Sequence, residues 1–537
     1  MPTAHVIRGG LCFLTVVAFC LTSLLGVALP AAAQPAAPKI DSIYPAQGPV
    51  GTPVFIYGSN FGTTPGLVVF STLVVATPIV WQDSLILTSV PSGAVTGPVT
   101  VATTGGISKG VDFTVTTGPV VAQTWYFAEG STAPGFETFL LMENTTGVSA
   151  TVNVIYCTAQ YGRLPRPLPL TVPPKSRVSL NVNNDLGLPG ITLDFGVELL
   201  STQKIVCERS MYWNGHLEGT ASIGATQTSR TWYFAEGSTL PPFETFLLIM
   251  NPSTSAEASV DITYMTPTQV FQKGTIPVGA GQRKTVNVAG DIGGQSEVSI
   301  RAVSTENIVC ERAVYWNGYR GGHDSIGATQ GSKKWYFAEG CTAWGFQTWL
   351  LLQNPDGSEA TVDVKYMTPN GTVDEPTVTM PPNSRKTILA NEKVLDSDTS
   401  IEVSSNRDIV AERAMYWDNG TGTAGHATVG MPATSDTIYL AEGCTAYGFE
   451  TFVCIQNPND QPATVDVTYI TNDGEKPGRQ RTIDPRSRVT IKVNDELADT
   501  DASIKLTTSS STPIMAERAL YWNGRGGGHC SIGWIPQ

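Results

Sequence analysis

Charge is scarce in this chain. Asp, Glu, Lys and Arg make up 15% of 537 residues, against about 25% in a typical globular domain. What charge there is runs acidic: 33 Lys and Arg against 46 Asp and Glu give a formal net charge of −13. Nucleic acid and anionic lipid are poor partners for such a chain, because both need clustered Lys and Arg. Beyond an N-terminal run there is no second stretch of about 20 apolar residues, so the rest of the chain has no candidate membrane span. No Cys-x-x-Cys, Gly-x-Ser-x-Gly elbow or His-Glu-x-x-His helix occurs, which removes the usual signatures of zinc sites, serine hydrolases and zinc proteases. Helical periodicity is missing throughout.

The N-terminal run reads as an export signal. Arg8 supplies positive charge, Leu11 to Val27 are apolar, and Ala31-Ala32-Ala33 provide small residues for cleavage. Residues 1–33 are therefore expected to be removed, leaving a chain that starts at Gln34 with a net charge of −14. A lipoprotein reading at Cys20 fails because the bulky Phe19 precedes it. The expected location is secreted, or held non-covalently at the cell surface. Seven cysteines remain after cleavage: Cys157, Cys207, Cys310, Cys341, Cys444, Cys454 and Cys530. The number is odd, and several of these positions hold Ala or Ser in parallel segments, so a disulfide framework is not expected. The best bridge candidates are Cys444, Cys454 and Cys530.

The most informative feature is a repeated phrase. Trp125-Tyr126-Phe127-Ala128-Glu129-Gly130 returns at 232, 335 and 438, at spacings of 107, 103 and 103 residues. Each copy closes on Glu-Arg followed by Tyr-Trp, beginning at Glu208, Glu311, Glu412 and Glu517. A period this long is a whole small domain. The expected organisation is a signal peptide (1–33), a linker (34–38), a small β unit (39–117) and four repeats at 125–226, 232–329, 335–431 and 438–537. Within each repeat, segments such as Ala150 to Tyr156 alternate apolar and polar residues, the period of a half-buried antiparallel strand. Asn-Pro and Asn-Gly pairs punctuate them. The expected fold class is all-β: tandem immunoglobulin-like β-sandwiches, one small unit plus four repeats of seven or eight strands. Short linkers such as Gln227 to Arg230 predict a semi-rigid rod.

Between Lys39 and Thr117 the opening Ile43-Tyr44-Pro45, Gly48-Pro49-Val50-Gly51-Thr52 and the turn Gly58-Ser59-Asn60-Phe61-Gly62 resemble an IPT/TIG domain. That resemblance implies an immunoglobulin-like spacer or adhesion module without catalytic residues. The repeats resemble uncharacterised β-sandwich modules of exported proteins from actinobacteria and related Gram-positives, a resemblance that implies no activity.

Several side chains are candidates for a site. Glu129, Glu236, Glu339 and Glu442 recur beside Gly, and Arg209, Arg312, Arg413 and Arg518 recur after a second Glu. Neighbours such as Glu208 and Arg209 face opposite sides of one strand. Each Arg is therefore expected to pair with the Glu of its own Ala-Glu-Gly turn, a structural ion pair. The competing reading, a carboxylate pair for glycoside hydrolysis, would need four active sites. His323, His426 and His529 recur near the copy ends and are expected to pack in loops. Asp396-Ser397-Asp398, Asp495-Glu496, Asp499 and Asp501 form acidic loops, expected to be solvated turns rather than calcium sites. The recurring aromatics read as core, whereas Trp344 and Tyr447, beside Gly where other copies have Pro134 and Pro241, are expected to be exposed and able to stack on sugars. The functional expectation is a non-enzymatic, exported spacer and adhesion protein with no cofactor and no catalytic or metal residues. Its expected partners are cell-envelope polysaccharide or surface proteins. The alternatives are a multivalent carbohydrate-binding protein using Trp344 and Tyr447 and, more remotely, a glycoside-active enzyme.

Overall fold

The computed structural model describes residues 35–536 except 72, 118–119, 167, 186–191, 419 and 421; the expected signal peptide lies outside the described residues. The protein is all-β.

The first unit is a sandwich of two sheets. One contains strands Lys39–Tyr44, Pro53–Ser59 and Leu85–Ser89; the other contains Val111–Val115, Gly97–Thr103 and Leu67–Phe70. Val54, Ile56, Phe61, Val68, Phe70, Val99 and Phe113 fill the space between them. The Gly-Ser-Asn-Phe-Gly turn works because Asn60 and Gly62 take positive φ of 61° and 75°, which drops the Phe61 ring into the core. Trp81 Nε1 then donates to the Phe61 carbonyl at 3.2 Å.

Each repeat is also a two-sheet sandwich. In copy 1 one sheet orders its strands as Gln123–Phe127, Phe195–Ser201, Ala150–Thr158 and Gly162–Pro165. The other runs Ser176–Asn181, Phe136–Asn144, Ile205–Trp213 and Glu218–Ile223. In copies 2 and 3 the strands equivalent to 195–201 and 205–213 are one continuous strand, Ser299–Trp316 and Ser400–Asp418. A single helical turn follows strands Ser176–Asn181, Arg283–Asn287, Ser384–Leu389 and Ser487–Lys492 of the four copies, as at Val288–Ile292 and Val493–Asp495, too short to show as a helical period. The Asn ending the second strand ties its turn as expected: Asn251 Nδ2 donates to the Ala256 and Val278 carbonyls, and its Oδ1 accepts from the Ser253 amide.

The expected rod is not what forms. The last strands of the four copies, Glu218–Ile223, Gly322–Ile326, Thr423–Val429 and Gly527–Ile532, pack side by side, each on the next and the fourth back on the first. The repeats close into a four-membered ring around these strands. Short linkers do hold neighbours together, but each neighbour is turned by side-chain bonds that recur at every junction, so the chain curves back on itself.

Candidate functional site

The junctions between copies are built by the recurring motifs. The closing Trp of each copy donates its indole N–H to a hairpin carbonyl of the next: Trp213 to Tyr319 (2.8 Å), Trp316 to Thr423 (2.7 Å), Trp417 to Arg525 (2.8 Å), and Trp522 back to His216 (2.7 Å). The same indole meets the next copy's Tyr edge-on, with ring centroids 5.5–5.6 Å apart at all four junctions, the favoured geometry for aromatic quadrupoles. The Glu of each Glu-Arg pair reaches into the preceding copy and accepts from the Ala amide of its Ala-Glu-Gly turn. Glu311 takes Ala128, Glu412 takes Ala235, Glu517 takes Ala338 and Glu208 takes Ala441, at 2.7–2.9 Å.

Adjacent Glu and Arg side chains do face apart, and each finds its partner across a junction. Arg209 meets Glu311 at 2.8 Å, Arg312 meets Glu412, Arg413 meets Glu517 and Arg518 meets Glu208, the last three at 2.5–2.6 Å. The Arg also reaches the Glu of its own turn in copies 2, 3 and 4: Glu236 (2.8 Å), Glu339 (3.4 Å) and Glu442 (2.6 Å). Copy 1 departs from the expected pairing. Arg209 turns to Asp324 of copy 2, a position held by Ala427 and Cys530 in the other copies, and Glu129 is left to Arg283 of copy 2 at 2.7 Å. All of these groups are buried. Burial raises the carboxyl pKa values of Glu129, Glu236 and Glu412 while the nearby guanidinium groups oppose it.

The histidines are not in loops, as expected, but on the axial strands, fully buried. Arg312, Arg413 and Arg518 bond Nδ1 of His323, His426 and His529 at 3.0, 3.2 and 2.7 Å. A guanidinium can only donate, so Nδ1 accepts and Nε2 carries the proton. Nε2 then faces a Tyr hydroxyl of the next copy, Tyr416, Tyr521 or Tyr212, at 3.0–3.2 Å. That hydroxyl donates to Glu236, Glu339 or Glu442. Burial and the neighbouring guanidinium hold each imidazole neutral, well below its ordinary pKa. Glu339, His426 and Cys530 lie close enough to share a metal ion. The Arg413 guanidinium already sits among them, 3.2 Å from His426, 3.3 Å from Cys530 Sγ and 3.4 Å from Glu339, so the donors do not fit a second cation.

A second set of arginines crosses the junctions nearer the surface: Arg283 to Glu129, Arg385 to Glu297, Arg488 to Asp398 and Arg177 to Asp501. Asp398 and Asp501, expected in solvated turns, are thus junction partners. The seven described cysteines are free thiols, so the bridge candidates Cys444, Cys454 and Cys530 are unpaired with one another. Cys310 and Cys207 pack in the core as small apolar side chains.

Clefts open at the rims of these junctions. Trp344 is 71% exposed and Tyr447 is 90% exposed, both at positive φ of 52° and 55°, with Gly345 and Gly448 completing the turn. Trp344 lines a 160 Å³ cavity between copies 3 and 4 with Phe346, Phe452, Arg488 and Arg525; the Arg525 guanidinium lies 5.8 Å from its ring centroid. The junction of copies 2 and 3 has a 460 Å³ cavity containing Pro241, Pro242, Gln347 and Trp349. Sequence reasoning passed over Trp349. The signal was its position, which holds Phe139, Phe246 and Phe452 in the other copies.

No curated protein matches the chain. Among solved structures, Thermotoga maritima 1070 matches 19% of this chain and 94% of its own length at 17% identity, TM-score 0.18. The Anabaena sensory rhodopsin transducer matches 16% and 95% at 22% identity, TM-score 0.14. SGBP-B from a complex xyloglucan utilization locus in Bacteroides uniformis matches 51% and 97% at 12% identity, TM-score 0.13. Residues 38–115 match the IPT/TIG domain, the family indicated by the turn at Gly58 to Gly62.

Proposed function

We propose that this chain is a non-enzymatic, exported adhesion protein that binds carbohydrate at the rims of its ring, secreted or held at a cell surface. One observation carries this reading. The interior positions of the four copies are near-identical and buried, whereas Trp344 and Tyr447 stand exposed at equivalent rim positions of two junctions. An exposed indole or phenol on a tight turn offers a flat apolar face that a sugar ring can stack on. Weak sites repeated around one body gain avidity on a polymeric ligand. The spacer reading loses ground because a ring returns its fourth copy to its first and so adds little reach.

The non-enzymatic reading is supported by the fate of the recurring carboxylates. Each Glu of the Ala-Glu-Gly turns is buried against an arginine, as a structural ion pair is. The acidic surface supports a neutral or basic partner over nucleic acid. No helix among the described residues is long and apolar enough to cross a membrane.

The test is a glycan array, including cell-wall polysaccharides, probed with the exported chain and with a Trp344→Ala/Tyr447→Ala double variant of unchanged melting temperature. Saturable binding that the double variant weakens supports the reading. An array blank for the parent chain removes it and leaves protein partners as the adhesive target.

A further inference from the structure

Of the clefts described, the one between copies 2 and 3 is built differently. Beside it lies a second cavity of 770 Å³ that contains Pro267, Glu375, Lys386 and Glu392. The two cavities share a wall of Glu297, Trp349, Arg385 and Thr387, so one half-buried indole sits between two open chambers. At the copy 3–copy 4 junction the equivalent side chain is Phe452 and the cavity measures only 160 Å³. Three further features mark the groove. The Trp349 indole N–H makes no hydrogen bond among the described residues, whereas the closing indoles all do. Arg385 is buried and pinned to Glu297, which also accepts from Thr387 at 2.9 Å, yet its Nη2 has no partner among the described residues. The charge is small, since Arg385 and Lys386 stand against Glu297, Glu375 and Glu392 in the lining, a net −1.

We infer that this groove binds an internal stretch of a neutral, linear glycan, with one sugar unit stacked on Trp349 and its neighbours lying in the two chambers. The inference rests on the carbohydrate reading above and moves the principal site from the Trp344 and Tyr447 rims to Trp349. An apolar platform flanked by side-chain donors and acceptors matches a pyranose, which has apolar C–H faces and an equator of hydroxyls. A strongly anionic or cationic polymer would find no complementary excess charge here. Openness on both sides of the indole fits a chain passing through rather than a chain end held in a pocket. A proline-rich peptide is the rival occupant of an aromatic-lined groove, but it would leave most of the flanking donors and acceptors unused.

The experiment is calorimetric titration of the exported chain with cellohexaose, chitohexaose and a proline-rich peptide. The variants are Trp349→Ala, Trp349→Phe, Phe246→Ala and the Trp344→Ala/Tyr447→Ala pair. Trp349→Ala is expected to weaken hexasaccharide binding by about tenfold, while Phe246→Ala, the matched loss at the preceding junction, leaves it unchanged. Trp349→Phe, carrying the residue of the other three copies, keeps the packing and removes the indole N–H. Its expected weakening of about threefold keeps the test decisive if the alanine variant melts early. Hexasaccharide binding that survives both Trp349 changes and is lost in the Trp344/Tyr447 pair overturns the groove but keeps the carbohydrate reading. No hexasaccharide or array binding by the parent chain overturns both. Peptide binding that depends on Trp349 overturns the glycan assignment.

Discussion

The inside of the ring and its rim are made from the same four copies, yet they have diverged to different degrees. Inside, Glu-Arg, Tyr-Trp and Ala-Glu-Gly recur at every junction, with distances that repeat to within a few tenths of an ångström for the Trp and Ala hydrogen bonds. At the rim the equivalent residues are Pro134, Pro241, Trp344 and Tyr447. Interior positions are fixed because each group there is buried and must be satisfied by the next copy. An orphaned buried charge costs several kcal/mol, so a change to a charged group in one copy must be met by its partner in the next. Rim positions are free of that constraint and can be fitted to whatever the protein meets.

Two of the places where the interior does differ carry the same lesson. Asp324 stands where other copies have Ala or Cys, and it redirects Arg209 away from the copy 1 turn. Glu143 stands where copies 3 and 4 have Gln353 and Gln456. Those amides donate to the Ile300 and Ile401 carbonyls of the preceding copy at 3.1 and 3.2 Å. Glu143 is buried without a hydrogen-bond partner among the described residues. By the ring's order it belongs to the junction of copies 4 and 1, the one that closes the circle.

The largest expected effect comes from breaking an interior junction. Arg413→Ala strands Glu339 and Glu517 and should cost about 3–5 kcal/mol in denaturant unfolding; a loss under about 1 kcal/mol would place these pairs in solvent. Next, Glu143→Gln should stabilise the chain by about 1–3 kcal/mol at neutral pH, by supplying the missing donor and removing a buried carboxyl. Its sign can be checked by pH. Burial and the charge of Glu208 push the Glu143 carboxyl well above its ordinary range, so the folded state holds its proton more tightly than the unfolded state. Parent stability should therefore fall as pH rises from about 4.5, and the advantage of the Gln variant should grow over the same range. An advantage that shrinks with rising pH would contradict this. Smaller still, Cys310→Ala should cost about 1 kcal/mol or less, since copies 3 and 4 keep Ala411 and Ala516 at that place. Last, Trp344→Ala and Tyr447→Ala should move stability by no more than about 0.5 kcal/mol. A cost near that of Arg413→Ala would put these side chains in the core.

Much of the fold was legible in the sequence because it is local. Alternation in Ala150 to Tyr156 and its equivalents specifies a strand with one buried face, and the Asn-Pro and Asn-Gly turns specify where strands end. Opposed facing of Glu208 and Arg209 was legible for the same reason. Their partners were not, because a repeat gives the same residue in every copy and does not say whether a Glu serves its own copy or a neighbour. Ring closure was hidden likewise: short linkers are equally compatible with a rod, and the choice is made by cross-junction bonds such as Trp522 to His216, 306 residues apart. The exposure of Trp344 and Tyr447 could be read from their Gly neighbours. Trp349 could have been found only by aligning the copies and noticing one Trp among three Phe.

The closed ring is tested most directly by the pair that joins its two ends, Arg518 and Glu208, 310 residues apart. A double-mutant cycle with Arg518→Met and Glu208→Gln, read by denaturant unfolding, should give a coupling energy above about 1.5 kcal/mol, comparable to a cycle on Arg413 and Glu517. Additive effects at Arg518 and Glu208, beside clear coupling at Arg413 and Glu517, would contradict the ring and restore an open array of copies.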